Sequence, residues 1–343
     1  MLFREPSWWY STKPSWQSSL LAPISYLWAV VSTQRMNRPA KLNPTLPVIC
    51  VGNFTAGGTG KTPVSLFLAR QLIARGYKPI FLTRGYGGSS RQAHFVDKNR
   101  DIAKNVGDEP LLLSSVAPVV VAANRIDGIK SILKSKTQFN IIIMDDGLQN
   151  SSILKKISIA VVDGLRGFGN QKVIPSGPLR APLDIQLKHV DLIIMNSGMK
   201  QKSEEHLEFL IKSKFMGAVY NAYIEPSCDI EWIRGKRVLA YAGIANPDRF
   251  YRLLEQLGAL VVHQQTFPDH HMFTVYEAYS LLKKADEERC ALITTEKDWV
   301  RLPDAEDALS KLKASSKYIP INLYLKEEQS KELLDKIEFM ISC

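Results

Sequence analysis

Apolar positions along this chain come in short blocks. Leu46–Val51, Pro79–Thr83, Pro118–Ala122, Asn140–Met144, Ser158–Val162 and Val190–Met195 are almost wholly apolar. Such runs predict strands buried on both faces, the pattern of a parallel sheet. Pro63–Arg75, Glu109–Ser115 and Arg125–Lys134 lie between them and predict helices; in the first, Leu66, Ala69 and Ile73 recur at helical spacing. Gly164–Pro182 is rich in Gly, Pro and Arg and predicts a long loop, a feature that usually serves function. The composition breaks near Glu225–Lys236. Alternation then restarts with a strand at Arg237–Ala242 and a helix at Pro247–Leu257. It continues through Ala259–His263, Val275–Lys284, Ala291–Thr295 and Tyr318–Leu323 and closes with a charged helix at Lys326–Ile341.

The first forty residues follow neither pattern. Trp8, Trp9, Tyr10 and Trp16 precede a mostly apolar run, Leu20–Val31, which contains Tyr26 and Trp28 and is interrupted by Pro23. The run is about a dozen residues, short of the roughly 20 that span a bilayer. It lacks an obvious small-residue cleavage site. Arg35, Arg38 and Lys41 follow. Interfacial aromatics beside cations fit a helix lying on a membrane; an arm packed on the protein's own core is the other reading. Three regions result: an N-terminal arm at 1–40, a first α/β unit at 41–225 and a second, smaller one at 226–343.

Composition narrows the class. With 45% apolar and 23% charged residues, the chain is neither disordered nor a polytopic membrane protein. Four scattered cysteines without a CxxC pair exclude a zinc ribbon and a disulfide framework and suit a reducing compartment. Lys plus Arg is 44 against 34 Asp plus Glu, a net charge of +10. Anionic lipid, a phosphorylated small molecule, nucleic acid or a plain soluble surface all match that charge. No aromatic-studded basic stretch of the single-strand-binding kind is present, so nucleic acid is not expected.

The chemistry begins at Thr55-Ala56-Gly57-Gly58-Thr59-Gly60-Lys61-Thr62, which follows the first strand and opens a helix. This is the context of a phosphate-binding P-loop. Glycines turn backbone N–H groups onto phosphate oxygens, Lys61 reaches the outer phosphates and the Thr62 hydroxyl takes Mg²⁺. Thr55 stands where the strict pattern has glycine. Ile141–Asp146 is an apolar strand ending in two carboxylates, Asp145 and Asp146, placed as the acidic partner of the metal. No Asn-Lys-x-Asp guanine signature occurs, which favours ATP. Asp108, at the start of a helix, can take a proton from a hydroxyl or simply cap the helix. His270, in Phe267-Pro268-Asp269-His270-His271, can shuttle a proton or sit on the surface. Arg84 and Arg180, in glycine-containing loops, can steady phosphate or be solvated.

Taken in order, Gly57–Pro63, Arg84-Gly85-Tyr86-Gly87-Gly88, Gly107-Asp108-Glu109-Pro110, Asp145-Asp146-Gly147-Leu148-Gln149, Gly177-Pro178-Leu179-Arg180, Pro268-Asp269-His270 and Thr295-Glu296-Lys297-Asp298 resemble the tetraacyldisaccharide 4'-kinases of lipid A biosynthesis over most of the chain. The resemblance implies a P-loop NTPase-like domain joined to a second α/β domain. It implies ATP and Mg²⁺, and transfer of the γ-phosphate to the 4'-hydroxyl of an acylated glucosamine disaccharide 1-phosphate. It places the enzyme peripherally on the cytoplasmic face of the inner membrane. Asp108 would be the base with His270 as its partner. Lys61, Thr62, Asp145 and Asp146 would serve nucleotide and metal, and Gln149 and Arg180 would lie in the active site. Two departures stand out: Asn150 where the family often has His, and Ala181 where it often has Glu. A membrane-associated P-loop ATPase that phosphorylates no lipid shares the nucleotide motifs and is the competing reading.

Overall fold

The computed structural model describes residues 5–11, 13–90, 92–199, 205–303 and 307–342; the first four residues of the expected arm lie outside them. Thirteen strands are described: β1 (Val48–Gly52), β2 (Pro79–Thr83), β3 (His94–Phe95), β4 (Val119–Val121), β5 (Ile141–Asp145), β6 (Ile157–Asp163), β7 (Leu192–Asn196), β8 (Ala218–Pro226), β9 (Arg237–Ala242), β10 (Leu260–Thr266), β11 (Ala291–Thr294), β12 (Ser316–Tyr318) and β13 (Ile321–Leu325). They form a nine-stranded sheet in the order β13-β8-β7-β6-β1-β5-β2-β4-β3 and a four-stranded sheet in the order β10-β9-β11-β12. All pairings are parallel except those of β3 with β4 and β13 with β8.

The apolar runs are explained by burial on both faces. Ile49, Val51, Ile141, Ile143, Ile157 and Ile159 join one core, which the helix Lys61–Ala74 covers through Val64, Leu68 and Leu72. Their neighbours Val48, Cys50, Ile142 and Met144 join a core on the opposite face. The period-2 alternation of side chains across a pleated strand divides them. In the smaller sheet, Val238, Ala240 and Ala242 pack with Phe250 and Leu254 of the helix Pro247–Gln256. Leu239 and Tyr241 pack on the other face with Ala278 and Leu281 of the helix Val275–Glu287.

Two features differ from the sequence reading. Tyr318–Leu323 is not one strand: β12 stays in the small sheet, while β13 crosses back to pair with β8. The last helix, Glu327–Ser342, follows β13 and buries Leu333 and Ile337 in the core beside Ile49. Residues 321–342, grouped by sequence with the second unit, thus complete the first. β8 was also hidden in the sequence. Only alternate positions of it are buried, among them Tyr220, Ala222 and Ile224, so it never reads as an apolar block.

The arm is helical, with Trp16–Leu20 and Ala22–Met36. One side is pinned to the loop at 164–182. Trp9 is 2% exposed and its indole donates to the Pro175 carbonyl at 3.0 Å. Ser18 Oγ donates to the Ser176 carbonyl at 2.8 Å, Ser176 N donates to Ser25 Oγ at 2.8 Å, and Trp28 Nε1 donates to the Arg180 carbonyl at 3.1 Å. The other side leaves Leu20, Ile24, Tyr26 and Leu27 more than half exposed. No helix among the described residues is long and apolar enough to cross a membrane.

Candidate active site

β1, at the centre of the large sheet, runs into the phosphate loop and then the helix Lys61–Ala74. The loop's two left-handed residues are both glycines, Gly57 at φ 91° and Gly60 at φ 89°. That explains how Thr55 is tolerated at the first position. Thr55 is buried and bridges Leu179, away from the cavity wall, and its carbonyl accepts from Arg180 Nε at 3.0 Å. Ala56 N donates to the Pro178 carbonyl at 2.7 Å, so the long loop buttresses the entrance of the phosphate loop. Ala56, Gly57, Gly58, Thr59, Gly60, Lys61 and Thr62 all line a cavity of about 1740 Å³ between the two sheets.

The β5 end supplies the carboxylates. Asp146 accepts from Arg180 Nη1 at 2.9 and 3.1 Å and lies 3.6 Å from Lys61 Nζ. Burial alone would raise its carboxyl, but Arg180 and Lys61 hold it well below the usual carboxylate range. Asp145 differs: Oδ1 accepts from Ser65 Oγ at 2.9 Å, while Oδ2 is buried with no partner among the described residues. Burial and the nearby Glu109 charge push the Asp145 carboxyl up to about 7. A carboxylate oxygen with no partner among the described residues, beside a hydroxyl and a second carboxylate, is a hard oxygen donor set that fits Mg²⁺ sharing its shell with phosphate.

Gln149 Nε2 donates to the Asn53 carbonyl at 2.8 Å and to Gln186 Oε1 at 2.9 Å, which holds its Oε1 3.4 Å from Arg180 Nη1. Of the two departures, Asn150 lines the cavity and Ala181 does not. Asn150 Oδ1 accepts from the backbone N and hydroxyl of Ser152, closing a turn. Ala181 is fully buried, so no carboxylate fits there without displacing its neighbours.

The opposite wall comes from both lobes. Asp108 follows Gly107, at φ 91°, and opens the helix Asp108–Leu113. His270 sits in the turn after β10, at φ 56°. His270 Nδ1 lies 3.1 and 3.2 Å from the two Asp108 oxygens. Asp108 is 3% exposed and His270 is the member that lines the cavity. Burial would raise the Asp108 carboxyl, but the His270 hydrogen bond and the Arg301 and Lys297 charges carry it well below its ordinary range. Burial would lower the His270 ring, but Asp108 prevails and raises it. Tyr86, from the Arg84–Gly88 loop, places its ring 4.9 Å from the His270 ring. Arg84 lines the same cavity with an exposed side chain.

Sequence reasoning missed the seam behind this pair. Arg301 Nε donates to Asp108 Oδ2 at 2.7 Å, its Nη2 pairs with the same oxygen, and its Nη1 donates to Asp298 Oδ1 at 2.7 Å and the Gly243 carbonyl at 2.6 Å. Lys297 Nζ donates to Glu109 Oε1 at 2.6 Å. The Thr295–Asp298 motif therefore docks the second lobe onto the helix that carries Asp108. Its spacing was visible in the sequence; its partners, nearly two hundred positions upstream, were not. Glu5 was missed as well: its carboxylate accepts from Arg166 Nη1 at 3.1 Å and lies where a Cβ on Gly57 would fall.

A largely parallel sheet whose central strand feeds a glycine-rich phosphate loop, faced by carboxylates and a hydrogen-bonded Asp–His pair, defines a P-loop nucleotide-binding enzyme. The chain belongs to the tetraacyldisaccharide-1-P 4'-kinase family, whose model matches residues 17–338. It is similar to the tetraacyldisaccharide 4'-kinase of Agrobacterium fabrum, with 41% identity over 321 residues, covering 93% of this chain and 89% of that one. It is also similar to that of Parvibaculum lavamentivorans, with 43% identity over 306 residues, covering 88% and 87%. In fold it resembles the "apo" form of LpxK from Aquifex aeolicus in complex with ATP, with a TM-score of 0.71 and 23% identity, covering 95% of this chain and 99% of that one.

Proposed function

We propose that this chain transfers the γ-phosphate of ATP to the 4'-hydroxyl of a tetraacyldisaccharide 1-phosphate. Family membership supports the reaction, and one observation carries the assignment of residues: the Asp108–His270 contact opens into the same cavity as Lys61. The backbone N–H groups of Gly57–Lys61 and the Lys61 ammonium hold the outer phosphates. Thr62, Asp145 and Asp146 would hold Mg²⁺, which neutralises developing charge on the phosphates when bound. Arg180, fixed by Asp146 and buttressed by Gln149, keeps a guanidinium at the same end of the loop.

The proton of the acceptor hydroxyl enters the pair at His270. Asp108 is fully paired and absent from the cavity wall, so its part is to hold the ring with Nδ1–H toward itself and present Nε2, which lies 3.7 Å from Asp269 Oδ2, to the alcohol. The resemblance assigned the base role to Asp108; the geometry favours the two acting as a unit with His270 outermost. Both lobes line the cavity, and their closing over bound substrate would limit transfer to water.

The protein works peripherally on the cytoplasmic face of the inner membrane in this reading. The exposed side of Ala22–Met36 supports it, as do Arg35, Arg38 and Lys41 on the cavity wall, where they suit anionic headgroups and the substrate's own phosphate. We assign no share of the +10 charge to nucleic acid. The test is to incubate purified protein with γ-labelled ATP and the tetraacyldisaccharide 1-phosphate in mixed micelles. Label on the glycolipid is expected; release of free phosphate alone would turn the reading to an ATPase.

A further inference from the structure

We propose that Arg249 is a nucleotide-contacting residue, through which the second lobe sets a guanidinium on the triphosphate from the β6–β7 flank of the phosphate loop. The inference rests on the kinase reading and adds a residue to it. Arg249 stands in the first turn of the helix Pro247–Gln256, and its backbone N donates to Asn246 Oδ1 at 3.3 Å. That turn lies over the loop. A Cβ on Gly58 would sit 3.5 Å from Ala245 Cβ, and one on Gly60 would sit 4.0 Å from Arg249 Nη1. Arg249 lines the cavity with Gly60, Lys61 and Asn196.

Its hydrogen bonding is incomplete. Nη2 donates to Asn196 Oδ1 at 2.6 Å, a neutral partner, and Nη1 reaches Asp163 Oδ2 only at 3.4 Å. Nε is buried with no partner among the described residues. A guanidinium fork with an unmade buried N–H is costly unless an oxygen arrives to take it, and a phosphate supplies such oxygens in matching geometry. Charge argues the same way. On the β5 flank, Lys61 and Arg180 already share the Asp146 carboxylate, so a polyanionic nucleotide gains more from a cation that is only loosely paired. Asp163 and Asn196 end β6 and β7, on the other side of β1, so Arg249 approaches the phosphates from opposite Asp145 and Asp146.

Equilibrium ATP binding by calorimetry, which needs no phosphate transfer, keeps the failure of this proposal separate from failure of the kinase reading. Arg249→Ala is expected to weaken ATP binding at least tenfold. Asp163→Asn, which keeps the turn-closing oxygen and removes the charge holding Arg249 back, is expected to stay within twofold of the wild type. Unchanged affinity in Arg249→Ala, or an equal loss in Asp163→Asn, would overturn the proposal; the second result would make Arg249 a clasp between lobes. If Arg249→Ala does not fold, Arg249→Lys carries the test. Loss of the planar fork is expected to weaken ATP about threefold, and wild-type affinity would again overturn it.

Discussion

The Asp108 carboxylate and the His270 imidazole come from different lobes, 162 positions apart in the chain, and meet at 3.1 Å. The contact raises the His270 pKa above its ordinary value, because a buried anion favours the imidazolium more than burial disfavours it. A ring that accepts a proton must be neutral, so kcat is expected to climb with pH through that raised pKa. Asp108→Asn removes the anion. The acid limb should move to lower pH, and the plateau should fall by roughly 10²–10⁴-fold. A pH–rate profile whose acid limb stays in place in Asp108→Asn rules out the coupling.

Arg301 holds three groups at once, Asp108, Asp298 and the Gly243 carbonyl, with a side chain only 1% exposed. Arg301→Ala removes the guanidinium that neutralises two buried carboxylates, leaving Asp108 its His270 contact and Asp298 its contacts with Gly243 N and Thr295 Oγ1. The expected cost is about 3–5 kcal/mol of stability, as for any buried pair that loses one member. Urea unfolding measures it, and a loss below about 1 kcal/mol would contradict the burial of this network.

Glu5 packs against Gly57 of the phosphate loop and pairs with Arg166, which holds residues 5–10 against the loop at 164–182. Burial pushes its carboxyl up to about 7, and the Arg166 charge only partly opposes this. The docked state therefore binds the proton more tightly than a released one, whose carboxyl titrates near 4.5. Docking is strongest below about 4.5 and is lost as pH rises through about 7. Limited proteolysis between Glu5 and Trp16 should accelerate across that window, and Glu5→Gln should flatten the dependence. A pH-independent wild type would remove the effect.

Ile24 and Leu27 project from the arm and are 56% and 65% exposed. Each forfeits roughly 1.5–3 kcal/mol of apolar transfer when replaced by a polar residue, if a bilayer buries it. Ile24→Ser with Leu27→Ser should reduce co-sedimentation with phosphatidylglycerol-containing vesicles by about a hundredfold or more, with thermal stability unchanged. Equal binding of the double variant and the wild type would show that this face meets no membrane.

Much of the site was legible because its parts are local. The phosphate loop occupies eight consecutive positions between a strand and a helix, and the order β1, loop, helix is encoded by an apolar run, glycines at 57, 58 and 60, and helical spacing after Lys61. Asp145 and Asp146 were placed at the end of an apolar strand for the same reason, and they stand at the end of β5. The arm's two-sidedness was half visible. Its aromatics and apolar run suggested an interface, but Trp9 serves the protein's own core, where Pro175 and Asn170, more than 150 positions along the chain, accept from and donate to it.

What the amino-acid order determined by itself is therefore the set of elements and the presence of a phosphate cradle, since strand burial, helical periodicity and glycine conformation act over a few residues. Tertiary structure decided which distant groups share a site. It set His270 rather than Asp108 on the cavity wall, brought Arg301 behind them, sent β13 back to the large sheet, and laid Arg249 over Gly60. Each of those contacts closes a long stretch of chain. Its free energy depends on the packing of whole faces and on which partner neutralises a buried charge, and neither is written in the spacing of residues along the sequence.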